Sequence, residues 1–135
     1  MATTGPLISM LARPQLELEG DPPIVLIETP EAARALVARE LAYKPDFIKI
    51  WFIHLPGTDL AAQQAVVDAT AAAAHAAHVK LAVHATDLVT AKGALRAGAD
   101  YLVHSVDDPI EASVLERIRA ADGIVEATVV ELPPR

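Results

Sequence analysis

Short apolar runs alternate along this chain with longer stretches in which apolar residues recur at helical spacing. The apolar runs, which predict strands, lie at 7–11, 24–27, 47–52, 80–83, 101–103 and 124–130. The helical patterns lie at about 30–43, 59–77, 87–98 and 108–120. Such alternation predicts an α/β fold with a parallel sheet covered by helices. We interpret the run at 24–27 as an excursion rather than a strand of the sheet.

Capping residues sharpen the predicted ends of the helices. Side chains that can accept a hydrogen bond from a free backbone N–H group precede each helical pattern. The residues that we expect to cap the four amino ends are Thr29, Thr58, Thr86 or Asp87, and Asp108 together with Glu111. Gly98 is expected to end the third helix, since glycine is the usual residue just beyond a helix.

The length, charge and composition of the chain narrow the possible classes of protein. The 135 residues suit a single domain, 1–135, with its own core. A formal net charge of −7 without any basic cluster disfavours nucleic acid and anionic membranes as partners and leaves a small-molecule substrate. The absence of cysteine excludes disulfides and thiolate metal sites. The first residues lack the pattern of a secretory signal, so we expect a cytoplasmic protein.

A repeated pentapeptide marks the candidate site. The sequences VHATD at 83–87 and VHSVD at 103–107 each follow a predicted strand and precede a predicted helix. Neighbouring parallel strands lie about 4.8 Å apart, so His84 and His104, if they are in register, can reach one small volume. Metal-ligand or acid–base roles are the functional interpretation. The alternative is a pair of hydrogen-bonded core histidines.

Lys49 interrupts a strand that is otherwise apolar on both faces. A buried ammonium group is costly unless it is paired or modified, so this position favours a metal-bridging carbamate or a Schiff-base amine. The alternative is an edge strand whose lysine reaches solvent. Trp51 has the same alternation as Lys49 and is expected to be core or pocket wall. His54 follows the strand and faces either substrate or solvent.

Other polar residues near these motifs have simpler interpretations. Asp87 and Asp107, each three residues after its histidine, are expected to cap helices or solubilise loops. His75 and His78 form an H-x-x-H pattern at a predicted helix end, but they precede the strand that carries His84. They therefore lie at the opposite end of the sheet, and we interpret them as structural.

Several segments, taken in order, resemble the amidohydrolase superfamily in its imidazolonepropionase-like and prolidase-like branch. The resembling segments are 5–8, 29–34, 45–51, 80–85 and 97–105. This resemblance implies part of a (β/α)₈ (TIM) barrel, from about strand 3 to strand 7, that holds one or two divalent metals, commonly zinc. It implies a carboxylated Lys49 that bridges the metals, with His84 and His104 as further ligands. The implied reaction is hydrolysis of an amide, cyclic amide or related ester by metal-activated water.

The resemblance also shows what a complete site of that family would add. The family has a His-x-His on its first strand and an aspartate after its eighth, and neither pattern is present here. A full barrel takes about 250 residues, so we expect a fragment-like half with weak metal affinity and little turnover. Open sheet edges at 7–11 and 124–130 favour a homo-oligomer or a partner chain. His78 stands where the family usually has glycine, which predicts a positive φ.

Three alternatives remain at this stage. A flavodoxin-like, doubly wound sheet of five strands fits 135 residues and would make the chain a non-catalytic interaction module. A barrel lyase would use Lys49 as a Schiff-base nucleophile. A remnant would have no activity of its own. Sequential strand neighbours would favour the barrel, and a reversal of strand order would favour the doubly wound sheet.

Overall fold

A computed structural model describes residues 3–12, 22–104 and 109–130. In chain order its elements are β1 (Leu7–Ser9), β2 (Ile24–Leu26), α1 (Pro30–Leu41), β3 (Phe47–Phe52), α2 (Leu60–Ala76), β4 (Lys80–Ala85), α3 (Leu88–Ala97), β5 (Tyr101–His104) and α4 (Ala112–Arg119). The alternation predicted from the sequence is therefore confirmed as an α/β fold. Within these ranges no helix is both long and apolar enough to cross a bilayer.

The strands form one five-stranded, all-parallel sheet in the order β2-β1-β3-β4-β5. The prediction that 24–27 is an excursion outside the sheet is wrong, because β2 pairs with the free edge of β1 from Leu7↔Ile24 to Ser9↔Leu26. The order is sequential from β3 to β5 and reverses at β1. The sequential strands β3 to β5 agree with a partial barrel, the reversal at β1 is the order expected of a doubly wound sheet, and closure into a barrel is not confirmed.

The core lies between this sheet and the helices of the first 105 residues. Alternate side chains of β3, namely Ile48, Ile50 and Phe52, are fully buried, as the period-2 geometry of a strand requires. Helix α1 packs on α2, and α2 packs on α3, so these three helices share one hydrophobic cluster with the sheet. The intervening residues of β3 belong to the other face and are only half-buried.

The helix ends follow the capping predictions with one correction. Thr29 caps α1, and Asp87 caps α3 in a reciprocal capping box with Thr90. Gly98 ends α3 with a φ of 89°. The prediction that Thr58 caps α2 is wrong. Asp59 is the N-cap, and its carboxylate accepts hydrogen bonds from the backbone at residues 61 and 62.

Residues 106–135 form a second compact unit. Its helix α4 begins after Glu111, whose side chain makes no capping hydrogen bond, and the predicted cap Asp108 lies outside the described residues. The prediction of a strand at 124–130 is wrong. These residues are irregular, and Val125, for example, is fully exposed. Apolar composition produces a strand only where a neighbouring strand pairs with it.

Candidate functional site

Three adjacent strands carry the three predicted metal ligands. Lys49 lies in the middle of β3, His84 is the penultimate residue of β4, and His104 ends β5. The register pairs Lys49 with Ala82 and Trp51 with His84. Because residues two apart share a face of a sheet, Lys49 and His84 lie on the same face, opposite the buried side chains of β3.

His104 is displaced by one residue from the predicted register. It pairs with Ala85, whereas His84 pairs with Val103. The expectation that the two histidines stand level is therefore wrong by one position, and by strand alternation His104 belongs with Ala85 to the face opposite His84. The two imidazoles nevertheless lie within electrostatic reach of each other, because the charge of His104 contributes to the lowered pKa of His84.

Burial and neighbouring positive charges disfavour protonation of His84. Its pKa lies below the usual 6.5, first because burial penalises the charged ring and then because Lys49 and His104 are close by. Burial also lowers the pKa of Lys49 below its ordinary value. A neutral imidazole can offer a lone pair to a metal, and a lysine with a depressed pKa more readily presents the neutral amine that a carbamate or a Schiff base requires.

A backbone carbonyl fixes the protonation of the His104 ring. Its Nδ1 lies 2.8 Å from the carbonyl oxygen of Ala85. A carbonyl can only accept, so Nδ1 carries the proton and donates it. In the neutral ring Nε2 then carries the lone pair. Metal-binding histidines are commonly oriented by this same kind of second hydrogen bond.

Trp51 and His54 lie beside this group. The Trp51 indole makes an edge-to-face contact with the His84 ring, with centroids 6.4 Å apart and planes at 61°. His54 follows β3, and its Nδ1 is 2.8 Å from the hydroxyl oxygen of Thr58. Trp51 thus contacts the His84 ring, and His54 is held just beyond the carboxyl end of β3.

Asp87 has the capping role expected of it, and His75, near the end of α2, contacts an aspartate. The backbone of Thr90 donates to the Asp87 carboxylate over 2.8 Å, and this bond is the main reason that the pKa of Asp87 is lowered. His75 Nε2 lies 2.9 Å from the carboxylate of Asp100, beyond the amino end of β4. His78 has the predicted positive φ, of 58°. The matching Asp107 lies outside the described residues.

Two side chains have structural roles that the sequence did not lead us to predict. Thr58, predicted only as a cap, binds His54, and the i, i+4 spacing of the two residues was the available signal. Glu40 is 1% exposed on the inner side of α1, and its position in the helical period with Leu36 and Val37 could have shown that it is buried.

The donor set fits a metal only if lysine takes part. Within 3–12, 22–104 and 109–130, no three His, Cys, Asp or Glu side chains cluster in a way that could hold a metal ion. The groups on the three strands are the His84 ring and the Lys49 amine, each with a lowered pKa, and the His104 ring with a proton on Nδ1. Carboxylation of Lys49 would add the oxygen ligands that this set otherwise lacks.

Comparison with known proteins finds two longer chains, part of which resembles this structure. No family model matches the chain, and no curated protein matches it. A crystal structure of a "putative prolidase" from Bifidobacterium longum is 26% identical and superposes with a TM-score of 0.58 over 86% of this chain. An uncharacterized protein superposes with the same TM-score over 73% of the chain at 19% identity, which shows the fold alone. This chain spans only 28% of the length of each of these proteins.

Proposed function

We propose that this chain is part of a metal-dependent hydrolase of the amidohydrolase type, which cleaves an amide, a cyclic amide or a related ester. The observation that carries this proposal is that Lys49 and His84 share one face of two adjacent parallel strands, while His104 ends the next strand and its charge reaches His84. The likeness to a protein described as a prolidase supports it. In open and closed α/β sheets alike, reaction chemistry gathers at the carboxyl ends of the strands.

Each residue has a defined task in this proposal. Lys49, as a carbamate, would supply oxygen ligands to one or two divalent ions, most readily zinc, and His84 and His104 would each supply an imidazole nitrogen. A bound metal supplies a water molecule whose pKa is lowered from ~15.7 towards ~7. Trp51 would exclude bulk solvent beside His84. The remaining ligands of a complete family site would come from the rest of a longer protein or from a partner chain.

Zinc titration of the metal-free protein tests the donor set. In bicarbonate buffer, we expect calorimetry to show zinc binding that weakens at least about tenfold in His84→Ala and in His104→Ala. Lys49→Gln, which cannot be carboxylated, should weaken it similarly. His75→Ala is the matched control, because His75 is a histidine committed to Asp100 at the other end of the sheet.

Two results would contradict the proposal. Equal zinc affinity in the wild type and in all three ligand variants would show that the metal binds elsewhere or without specificity. Reductive trapping of a carbonyl substrate on Lys49 by borohydride would instead favour a Schiff-base lyase. Turnover is then measured with dipeptides, lactams and esters as substrates. We expect it to be slight for these 135 residues, because they contain no His-x-His pair.

A second candidate function is a non-catalytic interaction module with a flavodoxin-like sheet. The observation that favours it is the strand order, since β2-β1-β3-β4-β5 is the order of that doubly wound fold. Against it, α1, α2 and α3 all share the core on one side of the sheet, whereas doubly wound folds place helices on both faces. Absence of zinc binding in the titration above would favour this module over the hydrolase.

A further inference from the structure

The loop after β3 is built around the hydroxyl group of Thr58. Its Oγ1 lies 2.8 Å from His54 Nδ1 and 2.8 Å from the carbonyl oxygen of Leu55, and it accepts a hydrogen bond of 3.2 Å from the Leu55 backbone N–H. The buried side chain of Gln63 holds the start of the same loop by donating to the carbonyl of Ile53 over 3.1 Å. His54 is thus oriented by a loop whose polar groups are specifically paired.

The proton count at Thr58 determines which nitrogen of His54 carries hydrogen. A hydroxyl group has one proton to donate and two lone pairs that can accept. The carbonyl of Leu55 has no proton, so its short contact with Oγ1 requires the hydroxyl proton. The contact with His54 then needs a proton from the ring. If the hydroxyl proton pointed at Nδ1 instead, two lone pairs would face each other at 2.8 Å.

We propose that Thr58 is a positioning residue that holds neutral His54 as its Nδ1–H tautomer, so that Nε2 is a hydrogen-bond and proton acceptor for an N–H or O–H group of a substrate. The tautomer follows from the loop alone, while the acceptor role rests on the proposed function. The negative charge of Asp87 suits this role, because it would stabilise the imidazolium that forms when Nε2 takes a proton. The two residues do interact, since the charge of His54 contributes, behind the Thr90 hydrogen bonds, to the lowered pKa of Asp87.

Nitrogen NMR of the metal-free chain tests the assignment directly. In long-range ¹H–¹⁵N spectra recorded above the titration range of the imidazoles, we expect His54 to show a protonated Nδ1 and an unprotonated Nε2. Thr58→Val should shift His54 towards the Nε2–H form that free imidazole side chains prefer, and Thr58→Ser should retain the wild-type pattern. Thr86→Val, at an exposed threonine of the next loop, is the matched control and should change nothing.

The possible results distinguish a failure of the His54 tautomer assignment from a failure of the proposed hydrolase function. His104, which donates through Nδ1 to Ala85, is an internal reference that should keep its tautomer in every variant and thereby report an intact fold. A wild-type His54 in the Nε2–H form would overturn the proposal, as would an unchanged tautomer in Thr58→Val. Failure of the zinc titration would overturn the hydrolase without altering these spectra, because they need neither metal nor substrate.

Discussion

Glu40 is the most unusual single residue in the described chain. It is 1% exposed, both of its carboxylate oxygens are buried, and no described residue donates a hydrogen bond to them. The group packs closely on Gly5, where any larger side chain would clash with it. Burial raises its pKa from 4.5 to about 7, although the Arg39 charge partly opposes this rise. Folding therefore favours the protonated, neutral form of Glu40.

The free energy of unfolding should consequently fall as the pH rises through the window from about 4.5 to 7. Because the pKa is raised, Glu40 keeps its proton to a higher pH in the folded state than in the unfolded state. Its contribution to the free energy of unfolding is therefore complete below pH 4.5 and is lost above about pH 7. The shift corresponds to about 3 kcal/mol. Urea unfolding at several pH values should show this slope in the wild type and a much flatter profile in Glu40→Gln.

The control for this experiment is Glu31→Gln, which alters an exposed carboxylate near the start of the same helix. It should leave the pH dependence of the wild type in place. Parallel profiles for the wild type and Glu40→Gln would show that another group is responsible for the slope.

At the scale of elements, the sequence predicted helices better than strand pairing. The periodicity that marks α1, α2 and α3 and the caps at Thr29 and Asp87 depend on residues within a few positions of each other. Strand formation depends on a partner that the local sequence does not name. For this reason the run at 24–27 joined the sheet unexpectedly, and the run at 124–130 did not form a strand.

The end of α2 offers a test of local backbone strain. His78 adopts a φ of 58°, and its neighbour Val79 donates back to Ala74 over 3.0 Å in the usual helix-ending pattern. Glycine adopts this conformation without the steric cost of a Cβ atom, as Gly98 does at the end of α3. We expect His78→Gly to raise the free energy of unfolding by about 0.5–1 kcal/mol in urea titrations.

The matched variant is His78→Ala, which removes the imidazole but keeps Cβ. It should not stabilise the protein, because its backbone meets the same restriction. A gain of equal size in both variants would assign the effect to the imidazole and not to the backbone.

For the whole molecule, the sequence predicted which residues lie on adjacent strands of the candidate site but not their register. Adjacent strand–helix units with matching pentapeptides were enough to predict that Lys49, His84 and His104 lie on neighbouring strands. The displacement of His104 by one residue was not predictable, because stagger between parallel strands depends on how the connecting helix α3 packs. The role of Thr58 was missed although its i, i+4 spacing from His54 was a signal, because the same threonine also fits the pattern of a helix cap.

The two units differ in how they contribute to stability. Every buried apolar residue among the described positions lies between Ile8 and Ala94, and none of residues 109–130 is buried. Since the burial of apolar area is the main favourable term in folding, the first unit holds nearly all of that term. We therefore expect a chain that ends at Ser105 to melt within about 5 °C of the full chain, which corresponds to roughly 1 kcal/mol.

Differential scanning calorimetry measures the melting temperatures of the full chain and of the chain that ends at Ser105. Ile50→Ala is the reference for a substitution that removes buried core contacts. That substitution removes a fully buried side chain from β3 and should cost about 2–5 kcal/mol in the full chain and in the shortened one alike. A fall of 10 °C or more on shortening, or a smaller effect of Ile50→Ala in the shortened chain, would show that residues 106–135 complete the core. In that case the second unit would have to supply apolar contacts that the burial of its described residues does not reveal.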